Sequence, residues 1–296
     1  IQWFPGHMTK TRRMIAANLS LVDAVVEILD ARVPQSSRNP EMDSMVGSKP
    51  RLLLLNKADM ADPSATSRWI AAYRKQGFVA LGMDCRSGKG VSNFAPAVRE
   101  QLLPALLEKR AAHGMTGAPI RLMVVGIPNV GKSSFINRMA QSKRAKVEDR
   151  PGVTRTKQWV KIGSNMELLD MPGVLWPKFD DQSVGMNLAY TGAVKDDILD
   201  VEELAMNLLD EVRRNYPDLV AQRYKLDAET LALPPYELME AIGRKRGLLV
   251  RGGEVNTERC AIMLVDEFRA CKWGRISLER PPQRDDLTDF AGEDEE

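Results

Sequence analysis

Gly126-Ile127-Pro128-Asn129-Val130-Gly131-Lys132-Ser133 is the stretch that decides the fold of this 296-residue chain. It fits G-x-x-x-x-G-K-[ST], follows the short apolar run Leu122–Val125, and leads into a helical stretch, Ser134–Met139. Strand, glycine loop and helix in that order make a phosphate cradle. The glycines let backbone N–H groups curve round phosphate oxygens, and the helix N-terminus adds a favourable dipole. Asn129, Val130, Gly131, Lys132, Ser133 and Ser134 are the expected nucleotide contacts. Lys132 is placed to neutralise the β- and γ-phosphates and Ser133 to ligate Mg²⁺. By itself the loop specifies only a nucleoside triphosphate.

Upstream, Val25–Leu29, Leu52–Leu55 and Phe78–Met83 are also short apolar runs without strict alternation, as in strands buried on both faces. Helical stretches, Ser64–Gln76 and Ser92–Arg110, lie between them. Strands alternating with helices predict an α/β fold with a doubly wound, mostly parallel sheet and its ligand at the carboxyl ends of the strands. Each run closes on a polar or glycine-bearing turn, at Asp30, Asn56, Asp84 and Gly126.

The turn after Leu55 is Asn56-Lys57-Ala58-Asp59, the N-K-x-D pattern of GTP-binding proteins. Guanine offers two neighbouring donors, N1–H and the 2-amino group. A carboxylate accepts both in a fork, and adenine lacks the pair, so Asp59 selects guanine. Lys57 can cover the ring with its stem, and Asn56 can tie this turn to the phosphate loop. Asp84-Cys85-Arg86-Ser87-Gly88-Lys89-Gly90 is similar to the S-A-K-x-G-x-G loop that supports guanine through backbone amides, with Asp84 and Cys85 where Ser and Ala are usual. Downstream, Asp170-Met171-Pro172-Gly173 is a D-x-x-G motif, with Asp170 for Mg²⁺ and the Gly173 amide for the γ-phosphate. Thr154, in Arg150–Thr156, is the candidate switch threonine closing on Mg²⁺ and γ-phosphate; Thr156 is the alternative.

Conventional GTPases run phosphate loop, switch threonine, D-x-x-G, N-K-x-D and S-A-K. Here N-K-x-D and the S-A-K-like loop come first, so the motifs are circularly permuted. The old termini are then joined through Arg110–Pro119. The chain leaves the nucleotide domain directly after D-x-x-G, so motion at the γ-phosphate could pass to the C-terminal part of the chain.

That C-terminal part reads as a small all-α domain. Val201, Leu204, Ala205, Leu208, Leu209 and Val212 share one helical face, and Glu237–Arg246 and Thr257–Cys271 are also amphipathic. The expected division is a permuted GTPase domain over 1–178, a linker over 179–199, the helical domain over 200–281 and an acidic, disordered tail over 282–296. The chain has 42 bases and 40 acids, but seven of the acids crowd Asp285–Glu296, which leaves a basic body. No apolar run approaches the ~20 residues of a membrane span, and Ile1–Met8 is too mixed for a signal segment. Cys85, Cys260 and Cys271 form no C-x-x-C pair and suit a reducing cytosol. A cytoplasmic monomer is expected.

The permuted order, Trp3-Phe4-Pro5-Gly6-His7-Met8, Asp30-Ala31-Arg32-Val33-Pro34 and Asp170-Met171-Pro172-Gly173-Val174-Leu175-Trp176-Pro177 resemble the ribosome biogenesis GTPase A (YlqF-like) family. The resemblance implies an assembly factor for the large ribosomal subunit, with GTP hydrolysis timing its release and the helical domain contacting ribosomal RNA. Basic clusters at Lys10–Arg13, around Lys143–Lys157 and at Arg244–Arg251 fit phosphate contacts, although such a cluster taken alone is more often a solvated face.

Catalysis needs Lys132, Thr154, Gly173 and a group that orients water. Many small GTPases use a glutamine just after D-x-x-G, where this chain has Val174. His7, one of two histidines, is the candidate water-positioning residue; packing or capping of a helix starting near Thr9 is the other reading. Asn129 is similar to the asparagine that helps bind K⁺ in cation-dependent GTPases, where K⁺ supplies positive charge; a simple turn-former is equally open. A guanine-nucleotide-gated binding module with little hydrolysis is the competing function. A small-metabolite kinase is disfavoured by Asp59 and by Thr154 and Gly173.

Overall fold

The computed structural model describes residues 6–141, 158–163, 165–173, 175–176, 181–194 and 200–281, giving backbone alone at 6–10, 141 and 158. Thr154, Thr156, Val174, the basic cluster at 143–157 and the acidic tail lie outside the described residues, as do the side chains of His7 and Lys10.

The strands are β1 (Ala24–Asp30), β2 (Arg51–Asn56), β3 (Val79–Gly82), β4 (Ile120–Val125), β5 (Gln158–Ile162) and β6 (Met166–Asp170). They form a six-stranded sheet in the order β3-β2-β1-β4-β6-β5. All neighbours are parallel except β5 and β6. The mostly parallel α/β expectation is therefore met, with an antiparallel edge.

Both faces of the sheet are covered, which is why its central strands β1, β2 and β4 are mostly apolar, while the edge strand β5 alternates. On one face Val26, Ile28, Leu52, Leu54, Leu122 and Val124 pack with Phe94, Val98 and Phe135. On the other, Val25, Met123 and Val125 meet Ile15 of α1 (Gly6–Leu19) and Met42 and Val46 of α2 (Met42–Val46). Beside them Leu29, Leu53 and Leu55 meet Trp69 and Tyr73 of α3 (Pro63–Lys75). Each fully buried aliphatic side chain contributes roughly 1.5–3 kcal/mol. α3 starts where Asp62 caps it, accepting from the N–H groups of Ser64 (2.8 Å) and Ala65 (3.3 Å).

The single helix expected over Ser92–Arg110 is instead broken. A 3₁₀ turn (Val91–Asn93), a short α4 (Phe94–Pro96) and a π-helical turn (Ala97–Leu102) precede α5 (Pro104–Ala112). Pro104 has no N–H and disfavours helical backbone in the residue before it; Leu103 accordingly sits at φ −127°, ψ 30°. α6 (Lys132–Gln141) follows the phosphate loop.

Beyond β6 come α7 (Gln182–Tyr190), α8 (Val201–Asn215), α9 (Pro217–Tyr224), α10 (Ala228–Leu231), α11 (Pro235–Lys245) and α12 (Thr257–Arg269). The 179–199 stretch, expected as linker, thus carries α7, whose Leu188 and Ala189 are fully buried. Leu204, Ala205, Leu208, Leu209 and Val212 are the buried face of α8. α12 stops at Arg269, short of the expected Cys271, because Cys271 adopts φ 59°. One apolar cluster joins the sheet core, Leu175, Trp176 and these helices.

Candidate nucleotide site

Parallel strands carry their following loops to one edge of the sheet. The Asn56–Asp59 turn leaves β2, the Asp84–Gly90 loop leaves β3, the phosphate loop leaves β4 and the Asp170–Gly173 turn leaves β6.

Asn56 is the hub. Its buried amide donates to the Val130 carbonyl at 2.8 Å, and its side-chain oxygen accepts from the Cys85 N–H at 3.1 Å. One side chain thereby fixes three loops to one another. Gly131 is required beside it: its φ is 99°, and a Cβ there would lie 2.2 Å from the Asn56 amide nitrogen.

Lys57 reaches sideways, donating to the Asp30 carboxylate (2.8 Å) and the Asn129 carbonyl (2.7 Å). Its stem therefore spans the gap between the base-reading turn and the phosphate loop. Asp30 is buried and also holds Arg32 through its Nε (3.0 Å) and Nη2 (2.8 Å). Burial works to raise the Asp30 carboxyl, but Arg32 and Lys57 outweigh it and hold the group well below the usual carboxylate range. Asp59 is exposed, and its carboxylate is hydrogen-bonded to none of the described residues.

In the next loop Asp84 accepts from the N–H groups of Arg86 (2.8 Å) and Ser87 (3.1 Å). A carboxylate can thus close this turn where Ser is usual. Burial pushes the Cys85 thiol up to about 12, so it packs as a neutral thiol. The Cys85 and Arg86 carbonyls accept from the guanidinium of Arg138, on α6. Arg138 escapes motif reading because it acts on backbone; Asp30 stands in the Asp30–Pro34 string, but its role as the anchor of Lys57 comes from a contact that only the fold makes.

The D-x-x-G turn lies directly on the phosphate loop. A Cβ at Gly173 would stand 2.6 Å from Lys132 Nζ and 3.2 Å from the Pro128 nitrogen. Burial lowers the pKa of Lys132 against the pull of Asp170, and burial raises that of Asp170 against Lys132. Ser133 and Ser134 are exposed at the start of α6. Among the described residues no group of three or more His, Cys, Asp or Glu gathers as a metal cage. One carboxylate, Asp170, with the Ser133 hydroxyl is the sparse oxygen set that could hold Mg²⁺, which takes its remaining ligands from phosphates and water.

Asn129, at φ 61°, donates its side-chain amide to the Gly192 carbonyl just past α7 (2.5 Å). That bond uses the nitrogen; a cation would take the side-chain oxygen. His7 lies in the first turn of α1, which starts at Gly6, before the expected Thr9.

A guanine-type turn locked to a phosphate loop, with D-x-x-G against the same loop and the base-reading strands first in the chain, defines a circularly permuted P-loop GTPase. The family model described as "50S ribosome-binding GTPase" matches residues 121–232, starting at β4 and leaving Asn56–Asp59 upstream, as the permutation requires. The chain is 46% identical over 283 residues to ribosome biogenesis GTPase A of Priestia megaterium, covering 96% of this chain and 98% of that one. It is likewise 46% identical to ribosome biogenesis GTPase A of Bacillus licheniformis, over 95% of this chain and 98% of that one. The GDP-bound structure of TM YlqF superposes with TM-score 0.64 at 26% identity, covering 91% of this chain and 99% of that one. The chain belongs to the ribosome biogenesis GTPase A family, and its activity is the hydrolysis of GTP.

Proposed function

We propose that this GTPase is an assembly factor for the large ribosomal subunit, its nucleotide state controlling binding to and release from the subunit and its RNA. The observation carrying the nucleotide half is the double tether of Asn56 to Val130 and Cys85, which sets the Asp59 turn at a fixed place beside the phosphate cradle. The relatives' names carry the ribosomal half.

In this reading Asp59 accepts the guanine N1–H and 2-amino donors. Backbone amides of Asn129–Ser134, with Cys85 and Arg86 on the base side, line the nucleotide. Lys132 and the Gly173 amide take charge from the γ-phosphate. Ser133, Asp170 and Thr154 would hold Mg²⁺, which when bound supplies positive charge at the phosphates. Val174 cannot orient water, so His7 does so, and K⁺ at the Asn129 oxygen supplies charge that an arginine finger gives elsewhere. Hydrolysis by the free protein is slow and is stimulated by the subunit.

The division follows the chain: a GTPase core over 1–178 and a helical, RNA-contacting unit over 200–281, in a cytoplasmic monomer. No helix among the described residues is long and apolar enough to cross a membrane. The helical unit offers Arg251 on an exposed turn beside the exposed Leu249 and Val250, a surface suited to phosphate and base contacts. Arg246 is less available, lying over the Tyr224 ring at 5.2 Å.

Co-sedimentation of the protein with purified large subunits tests the control by nucleotide. Retention with a non-hydrolysable GTP analogue and release with GDP is expected; equal retention in both removes it. Val174 favours a second reading, a GTP-gated binding module with little turnover, in which the subunits are bound but do not accelerate hydrolysis.

A further inference from the structure

After α12 the chain turns back to the sheet, and Cys271–Glu279 lies along the turn that carries Asp59. Arg275 donates from Nε to the Ala61 carbonyl (2.9 Å) and from Nη2 to the Ala58 carbonyl (2.7 Å). The Ile276 N–H donates to the Met60 carbonyl (3.0 Å). The Asp62 N–H donates to Ser277 Oγ (3.1 Å), and Tyr216, at the end of α8, donates its hydroxyl to the Ser277 carbonyl (3.0 Å). The strap continues past the turn: the Leu278 N–H donates to the Arg32 carbonyl (2.9 Å), and the Glu279 carboxylate accepts from the N–H groups of Gln35 (2.7 Å) and Ser36 (2.9 Å).

The carbonyls on both sides of Asp59 are therefore held by one segment distant in sequence. A carboxylate that accepts two donors at once tolerates little displacement, because both hydrogen bonds weaken steeply with distance and angle. The planar guanidinium of Arg275 bridges Ala58 and Ala61 and so fixes the chord of the turn from which Asp59 projects. A lysine ammonium, a single point donor, cannot set that chord.

We propose that Arg275 is a positioning residue for guanine recognition, and that the Cys271–Glu279 strap braces the turn that carries Asp59. This rests on Asp59 being the carboxylate that reads guanine. It has a consequence for regulation: by reciprocity of coupled equilibria, a partner that draws the strap away weakens guanine nucleotide binding, and bound nucleotide tightens the strap.

The test compares affinities of the full chain for GDP and for inosine diphosphate, which lacks the 2-amino donor. Arg275→Ala is expected to weaken GDP about five- to tenfold and inosine diphosphate less than about twofold, so that the preference for guanine collapses. Arg275→Lys can replace only one of the two bonds, so it too should lose part of the guanine preference; as the charge-conserving variant it carries the test should the alanine variant not fold, and a wild-type preference in it overturns the proposal. Equal weakening of both nucleotides, or no change in either, overturns the proposal, since a purely structural staple lowers the competent fraction without touching the ratio. Asp59→Asn, run in parallel, separates this from the premise. An amide there can donate to the extra carbonyl of xanthine, so a shift from GDP to xanthosine diphosphate supports Asp59 as the base reader. An unchanged base preference refutes that reading whatever Arg275 does.

Discussion

The side-chain amide of Asn56 donates to the backbone carbonyl of Val130 at 2.8 Å, joining the base-reading turn to the phosphate loop across residues far apart in the chain. The same side chain accepts from Cys85, so its loss leaves a buried carbonyl and a buried N–H unpaired. Asn56→Ala should weaken GDP binding by about 1.4–3 kcal/mol, or roughly ten- to a hundredfold. Asn56→Asp keeps the acceptor for Cys85 but sets oxygen against oxygen at Val130, and should lose a similar amount. Calorimetric titration with GDP checks both; wild-type affinity in either variant would mean the loops hold together without this tether.

Gly173 packs tightly on the phosphate loop: a Cβ there would stand 3.2 Å from the Pro128 nitrogen and would displace Lys132 Nζ, which lies at 2.6 Å. Gly173→Ala keeps its N–H, but the added methyl pushes that N–H and Lys132 out of place, so the variant should bind GDP within about threefold of wild type yet lose on the order of a hundredfold in GTP turnover, the size of loss seen when one donor no longer meets the developing charge. Single-turnover measurement separates the two. Equal losses for GDP and GTP would show that the glycine serves the loop's folding and not the γ-phosphate.

Glu27 lies buried in β1, and burial pushes its carboxyl up to about 7 against the pull of Arg51 and Arg38. Between the unfolded value of 4.5 and about 7 the folded chain holds a proton that the unfolded chain has released. Stability should fall as pH rises through that window and level off above it. Glu27→Gln, which cannot ionise, should lack this component. The difference in melting temperature between the two proteins, followed from pH 4.5 to 8, should shrink or change sign with rising pH in the variant's favour; a constant difference would place the Glu27 pKa near its ordinary value.

Much of this architecture is legible in the sequence because buried parallel strands read as plain apolar runs and their loops carry rigid motifs. Leu52–Leu55 followed by Asn56 and Leu122–Val125 followed by Gly126 are such cases, and the motif order alone gives the permutation. The break at Leu103 was also written in the sequence, in Pro104, but was hidden by the amphipathic pattern around it. What the sequence could not display are contacts made by backbone groups. The Arg275 bonds to Ala58 and Ala61 join residues more than two hundred positions apart, and their acceptors are carbonyls that any residue type supplies. The Asn129 bond to Gly192 is concealed for the same reason.

In the proposed function, a guanine nucleotide site on a permuted GTPase core answers to the large ribosomal subunit. The most direct test is the rate of GTP turnover with and without purified large subunits, in K⁺ and in Na⁺ buffer, with ATP as control. The predicted result is slow turnover by the free protein, stimulation of about tenfold or more by the subunits in K⁺, and no activity on ATP. Tight GTP binding with turnover unchanged by the subunits would contradict it.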